Sequence, residues 1–323
     1  MKKFVIMILC SALCIGLGAC NNSNGNRPSS VTINCYSGNY VSATIQIIRH
    51  DNLLEKYLPE NITVNYTEIV SGPDIRDALL AGDVQIADFA LINFQAGLEN
   101  DLPLTLISFC GSTPINLYSN REDVAVLQDF SGNEQITITN RATNLHAAYL
   151  AAVKENGLDV AAYDKMLVAT PNTEALALLE NGNTIAGSTL SFPTYTKAEG
   201  MEGVHLVCDM TDVIQSYSIG SAFITTSDFY NENPEIIAAF RSAQDEALKI
   251  LAERPEYVAE FLTELYGIDY ADVLSVLQKL PPTKSLAGYD RHAELLYEAG
   301  ILTEPPAKFS ELPNYEDIAA LGG

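Results

Sequence analysis

The alternation of short apolar runs with amphipathic segments limits this chain to a narrow set of folds. Residues 31–36, 62–70 and 85–90 are rich in apolar side chains, and a segment with helical spacing follows each of them. Strands that alternate with helices in this way form parallel sheets covered by helices. The same order returns after Asp129, so we predict an α/β protein with two lobes, each a mostly parallel sheet.

The elements predicted after Asp129 are strands and helices, followed by a C-terminal third that is helical. A stripe of apolar residues with i, i+3, i+4 spacing runs from Leu145 to Val153 and predicts an amphipathic helix. Further strands are predicted at 135–139, 166–169, 184–187 and 204–207. Helices that open at Pro or Asp are predicted at 234–253, 255–266, 269–280 and 290–299.

The N-terminus has the parts of an export signal. Lys2 and Lys3 precede an apolar run at 4–17, which is shorter than the roughly 20 residues that a membrane-spanning helix needs. Small residues lead to Cys20, as in a lipobox, so we predict a signal peptide at 1–19 and an acyl lipid such as palmitate on Cys20. The polar stretch 20–30 has the composition of a tether. The predicted location is the outer side of a cell membrane, held by this lipid; which membrane is left open.

Charge and cysteine content exclude several classes of function. The chain has 18 basic and 41 acidic residues and a net charge of −23, which repels nucleic acid. Cys35, Cys110 and Cys208 are far apart and form no CxxC pair, so no metal site is predicted. Whether two of them form a disulfide is left open. A monomer is expected.

Polar residues follow the predicted strands at their carboxyl ends, where open α/β sheets bind ligands. Several lie at helix starts, whose free N–H groups can hold an anion. Because Ser, Thr and Asn also cap helices, one such loop indicates only a cap, whereas six loops at one edge favour a binding cleft. The candidate ligand-binding residues are Asn39, Tyr40, Asn93, Ser112, Thr113, Arg141, Thr143, Asn144 and Phe192.

These residue types suit a small polar or anionic organic solute. Arg141 could pair with a sulfonate, a nitrate or a carboxylate, although a surface arginine is the alternative interpretation. The amides and hydroxyls could supply hydrogen bonds, and Tyr40 and Phe192 could flank an organic part. No GxSxG, P-loop or HExxH motif occurs and the four histidines are scattered, so neither catalysis nor a cofactor is predicted.

A series of short motifs carries a family resemblance. Residues 71–89 read SGPDIRDALLAGDVQIADF, a glycine-containing loop, a helix and a turn into a strand. The later motifs are DLPL at 101–104, TNLHAAYL at 143–150, ENGL at 155–158, TEALALLENG at 173–182, NPE at 233–235, RPE at 254–256 and GIL at 300–302. In this order they resemble the solute-binding proteins of ABC importers for nitrate, aliphatic sulfonates, taurine and thiamine precursors.

The resemblance implies the type II periplasmic-binding-protein fold, whose two lobes close around a solute by a hinge motion and present it to an ABC permease and ATPase. It implies chain crossings near 113–120 and 217–225. Lobe 1 would then comprise 31–116 and 221–323, and lobe 2 would comprise 117–220. The chain has no tryptophan and reads GSTLSFP at 187–193, which departs from many relatives, so the solute is not carried over.

Two other classes remain as hypotheses. The first is an enzyme on this fold, similar to chorismate dehydratase or to a pyrimidine synthase. Export argues against it, and the clustered cysteines of the thiamine-precursor enzymes are missing. The second is a receptor for another machine, such as a TRAP-type transporter.

Overall fold

Two five-stranded mixed sheets form the framework of the protein. The computed structural model describes residues 28–35, 43–182 and 185–321, so Cys20, Asn39 and Tyr40 lie outside the described residues. In the first sheet the strands are, in chain order, β1 (Ser30–Asn34), β2 (Thr63–Thr67), β3 (Ile86–Ala90), β4 (Leu104–Gly111) and β10 (Ser221–Thr226). In the second they are β5 (Ile115–Ser119), β6 (Ile136–Ile138), β7 (Leu167–Ala169), β8 (Gly187–Ser191) and β9 (His205–Asp209).

Both sheets have the same topology. The strand order is β2-β1-β3-β10-β4 in the first and β7-β6-β8-β5-β9 in the second. In the first, β10 is antiparallel to β3 and to β4, and in the second β5 is antiparallel to β8 and to β9. The antiparallel strand of each sheet is therefore the first strand after the chain leaves the other sheet: β5 follows β4, and β10 follows β9.

The crossings lie at positions that differ from those predicted. The chain changes sheets at 112–114 and at 210–220, while most of the predicted crossing at 113–120 is strand β5 and the end of the one at 217–225 is strand β10. An antiparallel strand buried inside a sheet has the same local pattern as a crossing, which is why the sequence did not separate the two. The two crossings touch, because the carbonyl oxygen of Gly111 leaves no room for a Cβ on Gly220.

Helices cover both sheets, as the sequence predicts. The helical segment predicted after residues 31–36 is interrupted at Asn52, whose left-handed φ of 52° separates α1 from α2. The helices are α1 (Ala43–His50), α2 (Leu53–Tyr57), α3 (Gly72–Ala81), α4 (Leu91–Glu99), α5 (Asn144–Glu155), α6 (Val160–Asp164), α7 (Asn172–Asn181), α8 (Thr194–Glu199), α9 (Thr211–Ser216), α10 (Ser227–Glu232), α11 (Pro234–Glu253), α12 (Pro255–Tyr266), α13 (Tyr270–Lys279), α14 (Tyr289–Glu298) and α15 (Tyr315–Ala319). Within the described ranges none has the length and apolarity of a membrane span.

The predicted strand at 184–187 was placed too early. Strand β8 runs from Gly187 to Ser191 and buries Ser188 and Thr189 completely. The hydroxyl of Thr137 donates to that of Ser188 at 2.7 Å, so this polar pair satisfies itself inside the sheet. Hydrophobic pattern alone does not reveal a strand whose buried residues are hydroxylic.

We call the first sheet with its covering helices the first half of the protein, and the second sheet with its covering helices the second half. The helical C-terminal third packs on both halves. Buried residues of α11, α12 and α13 join the core cluster of α1 and β1, whereas Leu295 and Leu296 of α14 join the cluster of α5 and the second sheet. The assignment of 221–323 to lobe 1 stays a prediction. Cys35 and Cys110 are buried, and Cys35, Cys110 and Cys208 are all free thiols.

Candidate functional site

A small cavity of about 140 Å³ lies where the carboxyl edge of the first sheet meets α5 of the second. Its walls come from both halves of the protein, so motion of one half relative to the other would change its size. We call it the intersheet cavity. Its lining residues are Ile69, Val70, Gly72, Ile75, Asp88, Phe89, Ala90, Asn93, Asn144 and Ser221.

Three helices begin at the wall of this cavity. Gly72 is the first residue of α3, Ala90 is the N-cap of α4 and Asn144 is the first residue of α5. Helix starts carry partial positive charge on N–H groups that lack a partner within the helix. Some of these donors already have partners. The N–H of Leu91 donates to the carbonyl of Gly220, and the N–H of Asp74 donates to the hydroxyl of Ser71. The partial positive charge of the other N–H groups at these helix starts suits a polar or anionic group.

The polar side chains of the cavity add acceptors as well. Asp88 and Ser221 line it and are 8% and 6% exposed. The Oδ1 atom of Asn144 is buried, and no described residue donates a hydrogen bond to it. A buried acceptor without a partner is unfavourable, and a solute with an N–H or O–H group would satisfy it.

The structure brings two of the predicted site residues into the intersheet cavity, Asn93 from α4 and Asn144 from α5. Thr143 is next to it as the N-cap of α5, where its hydroxyl accepts from the N–H of His146. Ser112 and Thr113 are buried in the first crossing. Phe192 is 2% exposed and packs edge-on against Tyr195 in the core, so its side chain faces protein.

Arg141 does not line the intersheet cavity. One guanidinium nitrogen contacts both carboxylate oxygens of Asp164 at 2.8 Å, and another donates to the carbonyls of Asp164 and Leu167. Its role as a ligand residue therefore stays a prediction that this geometry does not favour.

His146 completes this ion pair. Its Nε2 lies 2.6 Å from Oδ1 of Asp164, and its Nδ1 accepts a hydrogen bond from the N–H of Ala142 at 3.1 Å. Because Nδ1 accepts, the proton is on Nε2, which donates to the carboxylate. Burial lowers the pKa of His146, while the hydrogen bond to Asp164 acts to raise it. For Asp164, burial acts to raise the pKa, but the hydrogen bonds from Arg141 and His146 outweigh it and the net shift is downward.

Several residues of the site were missed in the sequence. Asp88 is a charged residue inside the apolar strand β3, and that position was the only signal available. Ser221 is the first residue of β10, a strand that was interpreted as part of a crossing. Asp164 is 23 residues from Arg141, and nothing in the spacing connects them.

A second cavity of about 400 Å³ adjoins the first between α3 and α4. The two share Gly72, Phe89 and Asn93, so Asn93 stands at their junction. Arg76 lies in this outer cavity, where it pairs with its neighbour Asp77 at 2.9 Å.

Comparison with known families identifies the chain. A family described as NMT1/THI5 like matches residues 57–258, more than half of the 323 residues. The chain belongs to the NMT1/THI5-like family. No curated protein sequence matches it.

Solved structures show the fold of this NMT1/THI5-like protein. It is similar to the periplasmic aliphatic sulphonate binding protein SsuA from Escherichia coli, with a TM-score of 0.74 and 18% identity over 90% of this chain and 99% of that one. It is also similar to the alkanesulfonate-binding protein SsuA from Xanthomonas axonopodis pv. citri, with a TM-score of 0.69 and 15% identity over 89% and 98%. The ligand-binding component of an ABC-type import system from Staphylococcus aureus gives 0.71 and 12% over 91% and 99%. The predicted periplasmic-binding-protein fold and family are confirmed.

Proposed function

We propose that this NMT1/THI5-like protein is an extracytoplasmic lipoprotein that captures a small polar or anionic organic solute between its lobes and delivers it to an ABC importer. The observation that carries the proposal is the intersheet cavity, to which the first half contributes Asp88, Asn93 and Ser221 and the second half contributes Asn144. A cleft shared by two halves can couple solute capture to closure, and closure is what a permease can recognise.

The fold and the N-terminus support the proposed location and partners. The E. coli and X. axonopodis structures are named as sulphonate- and alkanesulfonate-binding proteins, which makes organic sulfonates the first solutes to test. The lipobox at Cys20 would place the protein at a membrane surface, and the polar stretch 20–30 would let it reach a permease. The predicted partners are therefore a permease and its ATPase.

The proposal is tested by calorimetry with a defined panel: ethanesulfonate, taurine, nitrate, and the aminopyrimidine half of thiamine. The protein is first unfolded and refolded, so that any solute retained during purification is removed. We expect at least one member to bind, and the variant Asn144→Ala to weaken that binding at least about tenfold because a buried polar contact is lost.

The matched control is Asn181→Ala. Asn181 ends α7, is exposed, and donates from its side-chain amide to the carbonyl of Ala177 at 2.7 Å. This control should leave the affinity unchanged. A folded protein that binds no member of the panel, or of a wider panel of polar solutes, would refute the proposal, and turnover of such a solute would favour the enzyme hypothesis instead.

A further inference from the structure

Three side chains of the second half meet beside the loop that leads into α5. Arg141 and His146 both bond to the carboxylate of Asp164, at 2.8 Å and 2.6 Å. The side chain of His146 is only 3% exposed, and that of Asp164 is 23% exposed. Charge-assisted hydrogen bonds at partly buried positions are stronger and better ordered than those of open surface pairs.

These side chains also hold the backbone of the loop. Ala142 has a φ of 53°, the left-handed conformation that a residue with a Cβ rarely adopts. Its N–H donates to Nδ1 of His146, and the guanidinium of Arg141 donates to the carbonyls of Asp164 and Leu167. The hydroxyl of Thr143 donates to the carbonyl of Asn140 at 2.9 Å. Side chains of Arg141, Thr143 and His146 thus all hydrogen-bond to the backbone in or beside this loop.

Asn144, the residue that follows loop 140–143, lines the intersheet cavity. Among the described residues, Asn144 is the wall residue of that cavity that comes from the second half, and none of them donates to its Oδ1. Its direction depends on the dihedral angles of 140–143. The lining of the cavity does not include Arg141, His146 or Asp164.

We propose that Arg141, Asp164 and His146 are positioning residues that hold loop 140–143 so that the amide of Asn144 faces the solute. The inference rests on the proposed function for its consequence, a loss of solute affinity, but the ordering of the loop is a property of the protein alone. Asp164 is the centre of the unit because both other side chains bond to it.

The first experiment measures hydrogen–deuterium exchange by mass spectrometry in the full-length mature chain without solute. Asp164→Ala removes the carboxylate to which Arg141 and His146 both bond. It should speed exchange at 139–146 at least about tenfold, while the strands of the second sheet keep their protection. The matched control is Asp123→Ala, which breaks another Arg–Asp pair of the same half, Nε of Arg121 to Oδ1 of Asp123 at 2.9 Å, away from the loop. It should leave 139–146 unchanged.

The second experiment separates positioning from plain stabilisation. Asp164→Ala should weaken the tightest binder among ethanesulfonate, taurine, nitrate and the aminopyrimidine at least about tenfold. Adding Ala142→Gly to it should recover part of that affinity, because glycine adopts the left-handed conformation without the help of His146. A role in overall stability alone would instead speed exchange throughout the second sheet and not only at the loop.

Each outcome decides the inference. Faster exchange confined to 139–146, with weaker binding that Ala142→Gly restores in part, supports it. Unchanged exchange at 139–146, or an equal rise throughout the second sheet, overturns it, and so does a loosened loop with unchanged affinity. If no panel member binds the native protein, the proposed function fails, and confined or unconfined exchange still decides whether the unit orders the loop.

Discussion

Gly111 and Gly220 lie back to back where the chain crosses between the sheets. The Gly111 carbonyl occupies the space that a Cβ on Gly220 would need, and that Cβ would also lie 2.8 Å from the ring of Phe109 and 2.9 Å from the hydroxyl of Ser112. The N–H of Leu91 donates to the carbonyl of Gly220 at 2.9 Å, which ties the crossing to the start of α4. The crossings are thus packed against each other at the edge of the intersheet cavity, which Ser221 lines.

This packing predicts a large cost for Gly220→Ala. Backbone on one side and a buried ring on the other cannot move easily, so we expect a loss of about 1–3 kcal/mol in the free energy of unfolding, measured by urea denaturation. Gly200→Ala is the control, since the nearest atom to its Cβ would be the carbonyl oxygen of Lys197 at 3.6 Å. Equal free energies of unfolding of the two variants would contradict the close contact between Gly220 and Gly111.

Asn144→Asp should separate stability from affinity. A carboxylate at the first position of α5 interacts well with the helix start but is repelled by Asp88 in the same cavity, so the melting temperature should change little. Inside the intersheet cavity the same charge should weaken the binding of ethanesulfonate or nitrate at least about tenfold by repulsion, and should strengthen the binding of a cationic solute.

The control for charge alone is Asn181→Asp, which adds the same charge at the exposed end of α7. It should leave calorimetric affinities unchanged. If Asn144→Asp alters the affinity of no solute that the native protein binds, the intersheet cavity is not where that solute binds.

His292 should make the protein sensitive to acid. It is completely buried on α14, neither ring nitrogen has a partner among the described residues, and burial lowers its pKa to about 3. The unfolded chain therefore takes up a proton below about pH 6.5 that the folded protein refuses until about pH 3. Stability contributed by the neutral ring is present above pH 6.5 and is lost as the pH falls toward 3.

The measurement is the free energy of unfolding between pH 6.5 and pH 4. His292→Leu should reduce its slope by up to about 1.4 kcal/mol per pH unit, which corresponds to one proton. His50→Gln, at a half-exposed side chain, is the comparison variant. An unchanged slope in His292→Leu would show that other groups cause the acid sensitivity.

Cys20 should carry the lipid that anchors the protein. In a bacterial host with a lipoprotein export pathway, the native protein should require detergent for extraction, and its N-terminal peptide should begin at an acylated Cys20 by mass spectrometry. Cys20→Ser should abolish both, whereas Cys14→Ser, inside the predicted signal, should behave like the native chain. An N-terminus at any other residue, or an unmodified Cys20, would contradict the lipobox.

Local pattern was enough for the secondary structure of most of the chain. Ser71 caps α3 with Pro73 in its first turn, Gly82 and Gly157 follow α3 and α5 with left-handed φ values of 78° and 71°, and the apolar stripe of α5 faces the core. These features depend on residues within one or two turns of each other, so the sequence could show them. The motifs from residue 71 onward likewise predicted the family correctly.

Tertiary structure alone decided how the segments come together. The sequence determined an α/β chain and the identities of Asn93 and Asn144, but their meeting in one cavity depends on strand order, which places ends of distant strands side by side. The same holds for Arg141, whose charge predicted an anion partner. Its partner turned out to be Asp164, because a guanidinium pairs with whichever carboxylate the fold brings within reach, and that distance is not written in the local sequence.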